Sequence, residues 1–329
     1  MRLATWLKST VLAAAMCAPL SAQAQTPSTA EPPRVLQSAA AAYADYQGEV
    51  STIRSSPIAG ADQLDKALDT FGAQNPDQLS SGWISYGAML AAQNKEFSVA
   101  VRDIDAYYGR DRVMSGMRND VGYARTLKGG EKALQIALSA NSEDAGRISS
   151  AAAFVKDQAI KLQDVTWGKS RLKDAGGVAT KLKVNAKATR PIADAAKQMF
   201  AGPDLNSVLA NATAGGGGSI WDRVSMITAS APIATIAPTA PALKVDPRRE
   251  GTANRIVTLA AFHVLEAEKT NTDDVKAAMK DKPTFDCIDW SQLQLQACVS
   301  AAYTRADLSF CLAEHAIGDA GACFSGVAR

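Results

Sequence analysis

The sequence predicts an all-α fold: a multi-helix bundle that ends in a disulfide-stapled helical hairpin. Three observations carry this. Apolar residues recur three and four apart in one segment after another, the period of a helix with one buried face. The chain is 47% hydrophobic but only 6% aromatic and rich in alanine, so helix backbones should pack closely rather than across wide gaps. Four of the five cysteines crowd into the last stretch, between Cys287 and Cys323.

Taken in order, Arg2 and Lys8 precede an apolar run from Val11 to Leu20, and Ala22-Gln23-Ala24 offers small residues for cleavage. Residues 1–24 are therefore expected to be a signal peptide, too short in its apolar core to span a bilayer. Cys17 leaves with it. Residues 25–33 read as a flexible Pro/Ser/Thr tether. Export implies a periplasmic or secreted protein, in a compartment where disulfides persist.

Residues 34–213 are expected to form a helical domain. Leu36, Ala39, Tyr43, Tyr46, Val50 and Ile53 make one stripe, stopped at Ser55-Ser56-Pro57. Short helices over 61–71 and 77–92 are separated by Asn75-Pro76. Phe97, Val101, Ile104 and Tyr108 share a face that ends at Gly109. Trp83, Tyr86, Tyr107 and Tyr108 are expected in core and rim packing. After Gly129-Gly130 comes a helix bearing Leu134, Ala137 and Leu138. A longer one is expected over 142–167, where Ile148, Ala152, Val155, Ala159 and Leu162 repeat as heptads. That pattern fits a coiled coil or antiparallel packing in a bundle equally well. Gly168 and Gly176-Gly177 interrupt the basic stretch beyond it, and a helix runs from Pro191 to Phe200.

Residues 214–249 are the sharpest change of composition, four glycines and then a Pro/Ala/Thr-rich connector whose Ile233 and Ile236 should lie on a helical surface. The glycines lack the Lys-Ser/Thr pair of a phosphate-binding loop. Residues 250–329 form a helical C-terminal region, with Ile256, Leu259, Ala260 and His263 on one side of a helix over 255–269. A short helix is expected from Thr272, before Pro283 and the hairpin. Cys287 and Cys298 are three helical turns apart, and Cys311 begins a second run after a polar break at Thr304–Asp307. Folded back, Cys298 meets Cys311 near the turn and Cys287 reaches Cys323.

Charge excludes some classes of function. The whole chain carries 35 Lys/Arg and 33 Asp/Glu, and loss of the leader leaves 33 of each. A neutral chain does not suit nucleic acid or a general affinity for anionic membrane, and no transmembrane anchor is expected after cleavage. The distribution is uneven, with a basic middle from Lys156 to Lys197 and an acidic tail from Glu266 to Asp319. Solvated, mutually paired helix faces explain this. The alternative is a cationic patch of Lys169, Arg171, Lys173, Lys181, Lys183 and Lys187 for an anionic envelope component.

No catalytic, metal or nucleotide signature stands out, and no cofactor is expected. Ser170-Arg171-Leu172-Lys173 matches the S-x-x-K of penicillin-binding enzymes without their companion motifs. Only two histidines are present. His263 reads as structural, and His315 as a cation near a helix C-terminus. A zinc site joining His315 to cysteines would need reduced thiols.

The segments WISYGAMLAAQ, YGRD, YARTL, RIVTLAAFHVL and FCLAEHAIGDAGAC together resemble a family of exported, uncharacterised helical proteins from alphaproteobacteria. The resemblance covers most of the mature chain and implies compartment and approximate fold, with no active-site residue carried over. The function expected is therefore a non-enzymatic binding or structural role in the bacterial cell envelope. The alternative is an envelope hydrolase or transferase using Ser170 or His315.

Overall fold

Helix α1 (Val35–Ser55) opens the folded part of the chain in the computed structural model, which describes residues 34–202, 205–216, 220, 221, 224 and 242–328. The expected leader, the tether and most of the Pro/Ala-rich connector, with Ile233 and Ile236, lie outside the described residues. Next come α2 (Ala61–Gly72), α3 (Pro76–Ala91), α4 (Lys95–Tyr108), α5 (Arg110–Asn119), α6 (Tyr123–Thr126) and α7 (Gly130–Leu162). After these stand α8 (Ala175–Lys187), α9 (Asp194–Ala201) and α10 (Leu205–Asn211). Past the connector are α11 (Glu250–Val264), α12 (Thr272–Met279), α13 (Lys282–Ala301), α14 (Arg305–Cys311) and α15 (Ala320–Ser325). Among the described residues the only β pairing is two isolated bridges, so the fold is an all-α bundle.

Local signals set most boundaries. The Asn75 side chain accepts from Gln78 N with Pro76 in the first turn, and the Asn94 side chain accepts from Phe97 N. Helix α7 departs from the two-helix expectation. Nothing between Leu138 and Ser142 breaks a helix, so one 33-residue rod runs through, ending at Leu162 rather than Trp167. Gly176-Gly177 does not interrupt either. Asp174 caps α8 by accepting from Gly177 N at 2.7 Å, so both glycines sit in its first turn. Helix α9 starts at Asp194, three residues later than Pro191 implied.

Close backbone packing is where the small residues act. Helices α1 and α3 form the central pair, and a Cβ on Gly82 of α3 would lie 2.8 Å from Ala39 O and 2.9 Å from Tyr43 N. Against them pack α7, α9 and α11. Trp83 and Tyr86 are fully buried, whereas Tyr107 and Tyr108, at the end of α4, are 80% and 51% exposed and pack against each other. Trp83 and Tyr86 are thus core residues, and Tyr107 and Tyr108 stand at the rim. The α4 stripe buries Phe97 and Val101 and runs out of partners before Tyr108.

The C-terminal region is the predicted stapled hairpin. Thr304 caps α14 by accepting from Asp307 N, and Asp307 accepts from Thr304 N in return, so the polar break is itself the start of the second helix. From Arg305 to Ser325 the chain is one continuous rod, α14 and α15 joined by a π-helical stretch, Leu312–Asp319. Bridges join Cys298 to Cys311 and Cys287 to Cys323, each with Cα atoms 5.6 Å apart. The π stretch has a purpose here. Twelve residues of α-helix would leave Cys311 and Cys323 roughly 120° out of line. The wider i→i+5 turns use more residues per turn and bring both sulfurs round to α13.

The rod packs along α7, where a Cβ on Gly321 would meet Ile148 Cγ2 at 2.8 Å. Its end is pinned by Asp246 N donating to Val327 O. Buried Asp281 caps α13 and accepts from the Thr252 and Thr284 hydroxyls, tying α11 to α13. Gln135 of α7 exchanges two hydrogen bonds with the backbone of Leu243 where the chain returns from the connector. Pro33–Arg329 thus forms one compact unit.

This packing sets two stability outcomes. Gly82→Val forces α1 and α3 apart and should cost about 3 kcal/mol in urea unfolding, while Gly116→Ala on α5, with open space at its Cβ, should be neutral or stabilise by up to about 1 kcal/mol. Equal effects at both sites would contradict the packing. Replacing Cys298 and Cys311 together by Ser reopens a short loop and should cost about 3 kcal/mol.

Candidate functional site

The most unusual chemistry of the molecule lies inside it, where a polar seam runs between α1 and α7. Helix α1 offers Tyr43, Gln47 and Ser51 at four-residue spacing, and α7 offers Asn141, Asp144 and Arg147 at three. All six are buried. These intervals hold each set on one helix face, opposite the other.

Asp144 is the centre. Its carboxylate accepts from the indole N–H of Trp221 at 2.6 Å and from the Tyr43 hydroxyl at 3.4 Å. Gln47 Nε2 donates to the Tyr43 hydroxyl at 2.7 Å, and Arg147 Nη2 donates to Ser51 Oγ at 2.6 Å. An aromatic cage closes round this seam. Tyr43 lies 5.4 Å from Tyr86, 5.9 Å from Trp221 and 5.5 Å from Phe324, measured between ring centres, and Trp83 stacks on Phe324 at 5.7 Å. Phe324 comes directly after Cys323, so the outer bridge holds the tail that supplies one wall.

Burial pushes the Asp144 carboxyl up to about 7; the Trp221 N–H and the Arg147 charge pull against that rise, Glu143 adds to it, and the Tyr43 hydroxyl opposes it. Tyr43 and Tyr86 are raised well above the usual phenol range, first by burial and then by the Asp144 carboxylate, so both stay protonated. Several polar atoms of the cage have no hydrogen-bond partner among the described residues: the Tyr46 and Tyr86 hydroxyls, Trp83 Nε1, Gln47 Oε1 and the Asn141 amide. Such groups are costly to bury. The arrangement can take up one proton near neutrality at the centre of the bundle.

The residues singled out in the sequence lie elsewhere. Ser170 is exposed in an extended stretch and donates to Trp167 O at 2.6 Å. Ser170 and Lys173 both lie outside any helix, in the segment between α7 and α8. His315 lies inside the continuous rod rather than at its C-terminus, with Nδ1 2.8 Å from Asp319 Oδ2, and Ser291 Oγ donates to the His315 carbonyl. His263, in the last turn of α11, is half-buried with Nδ1 3.1 Å from Glu268 Oε1. All four described cysteines are bridged, and among the described residues no three His, Cys, Asp or Glu side chains converge as metal ligands would.

Lys169, Arg171, Lys173, Lys181, Lys183 and Lys187 are all exposed. Lys181 pairs with Asp69 at 2.7 Å, and the Arg171 guanidinium lies 4.8 Å from the centre of the Tyr303 ring. Surface cavities include one of about 490 Å³ lined by Arg102, Asp105, Arg110 and Glu266, and one of about 230 Å³ beside Tyr108 and Tyr123. Neither is lined by Asp144.

Asp144 escapes a reading of the sequence, although a signal for it is present. It lies four residues before Ile148 on the stripe that continues through Val155 and Leu162, and a charged residue on an apolar stripe marks a buried polar site.

No family model, curated protein or solved structure matches this chain.

The pH dependence comes from the raised pKa. Between about 4 and 7 the folded state keeps a proton on Asp144 that the unfolded state has released, so stability falls as pH rises through this window and levels off above it. Replacing Asp144 by Asn should flatten that part of a Tm-versus-pH profile between pH 5 and 8, a difference of order 4 kcal/mol at full extent. A variant with the parent's slope would rule Asp144 out as the titrating group.

Proposed function

We propose that this chain is an exported protein of the bacterial cell envelope, periplasmic or secreted, with a non-enzymatic binding or structural role. The two disulfides of the C-terminal hairpin are the observation that carries this reading, since such bridges persist in oxidising compartments. The positively charged start, the apolar run and Ala22-Gln23-Ala24 support it from the other end of the chain. So does the resemblance to exported helical proteins of alphaproteobacteria. The six exposed cations from Lys169 to Lys187 supply a surface for an anionic envelope component.

Expression of the full chain in a Gram-negative host, then fractionation and N-terminal sequencing, tests the reading. Protein beginning at Gln25 in the periplasm or medium is expected. Material that keeps Met1 and stays with the cytoplasm would overturn export.

A further inference from the structure

The outer layer of the bundle beside the stapled hairpin combines two features that are separate in sequence. Helices α8 and α13 lie side by side and run antiparallel. Leu172 N donates to Tyr303 O at one end, and further along Leu182 and Leu295 both close over Gly72. Helix α8 buries Ala179, Leu182 and Ala186, which leaves Lys183, Val184 and Lys187 outward. Helix α13 buries Ile288, Leu295 and Val299, which leaves Trp290, Leu293 and Ala297 outward. Trp290 is 61% exposed and Val184 63%.

Past the α13–α14 turn the same surface continues through Tyr303, Phe310 and Ile160, all exposed. Arg171 lies over Tyr303, and Lys156 lies 5.2 Å from the centre of the Phe310 ring. Of the ten large apolar side chains exposed among the described residues, six belong to this region, so the clustering is not the scatter of an ordinary surface.

Charge favours an anionic occupant. On these elements Lys169, Arg171, Lys173, Lys183 and Lys187 make no ion pair among the described residues. The acids Asp157, Asp286 and Glu314 are each held by a lysine, and Asp174 and Asp307 are helix caps. Asp319 lies beside the His315 ring, and Asp164 and Asp289 are the other acids of segments 157–174, 282–301 and 305–319. A protein-binding patch concentrates apolar residues and excludes lysine from its centre. Here lysines alternate with tryptophan, tyrosine and aliphatic side chains, the mixture suited to the boundary between lipid headgroups and acyl chains.

We propose that this face is a peripheral docking surface for a bilayer rich in anionic lipid, with Trp290, Leu293 and Val184 entering the headgroup boundary and the lysines meeting lipid phosphates. Among the described residues no helix is long and apolar enough to cross a membrane, so the contact described is with the surface layer. The proposal rests on the envelope reading and narrows its anionic partner to lipid.

Co-sedimentation of the mature, oxidised protein with vesicles tests it, using phosphatidylglycerol–phosphatidylcholine mixtures, pure phosphatidylcholine, and polyphosphate as a soluble polyanion. Binding to the anionic vesicles is expected, weakening with salt and at least ~10-fold tighter than to phosphatidylcholine. K183E/K187E and W290S/L293S, all at exposed positions, should each lower it by about 10-fold with the thermal transition unchanged. If W290S/L293S binds vesicles like the parent and polyphosphate competes fully, the bilayer proposal fails while an anionic partner stands. Equal binding to phosphatidylcholine would overturn the lipid-charge basis, and no binding to vesicles or polyphosphate at low salt would overturn both readings.

Discussion

The tail of this protein is held by covalent constraint, and the centre of the bundle depends on it. Helix α13 is tied twice to the rod that begins at Arg305, near the turn through Cys298–Cys311 and at the far end through Cys287–Cys323. Both attachments fall on one side of the rod only because the π stretch delays its rotation by part of a turn. Phe324, next in sequence after the second bridge, then enters the cage between Tyr43, Tyr46 and Trp83. Packing would favour this seat without the bridges. The bridges remove from the unfolded chain much of the freedom that opposes it.

The same cage contains the least comfortable group in the molecule. A carboxyl at the middle of the bundle is sustained by a tryptophan N–H, a tyrosine hydroxyl and a nearby arginine, and burial still outweighs these and holds its proton up to about pH 7. Trp221 reaches Asp144 from the far side of the glycine run, so the polar seam also anchors the chain where it leaves α10. An apolar residue at this position would be the simpler solution for stability alone. Retention of an acid there couples the interior to pH.

The architecture is legible in the sequence wherever one mechanism acts alone. Asn75-Pro76 and Gly109 mark helix ends through local backbone chemistry, and four cysteines within the tail suggest a stapled hairpin, although the π stretch that aligns Cys311 with Cys323 is not visible in their spacing. Where two mechanisms compete, the sequence misleads. Gly176-Gly177 looks like a break because glycine is a poor helix former, but the Asp174 cap and the burial of Leu182 against Leu295 outweigh that cost. The stretch around Ser142 looks like a boundary because it is polar, although the polarity belongs to a buried seam. The candidate site shows in the sequence only as a charged residue on an apolar stripe. Its partners, Tyr43, Asp144 and Trp221, are brought together by the fold from three distant segments, and no local spacing encodes them.

Peptide mapping of protein recovered from its producing cells, alkylated at once and digested without reductant, tests the central claim most directly. The account predicts two crosslinked pairs, Cys287 with Cys323 and Cys298 with Cys311. Four alkylated thiols, or any other pairing, would contradict it.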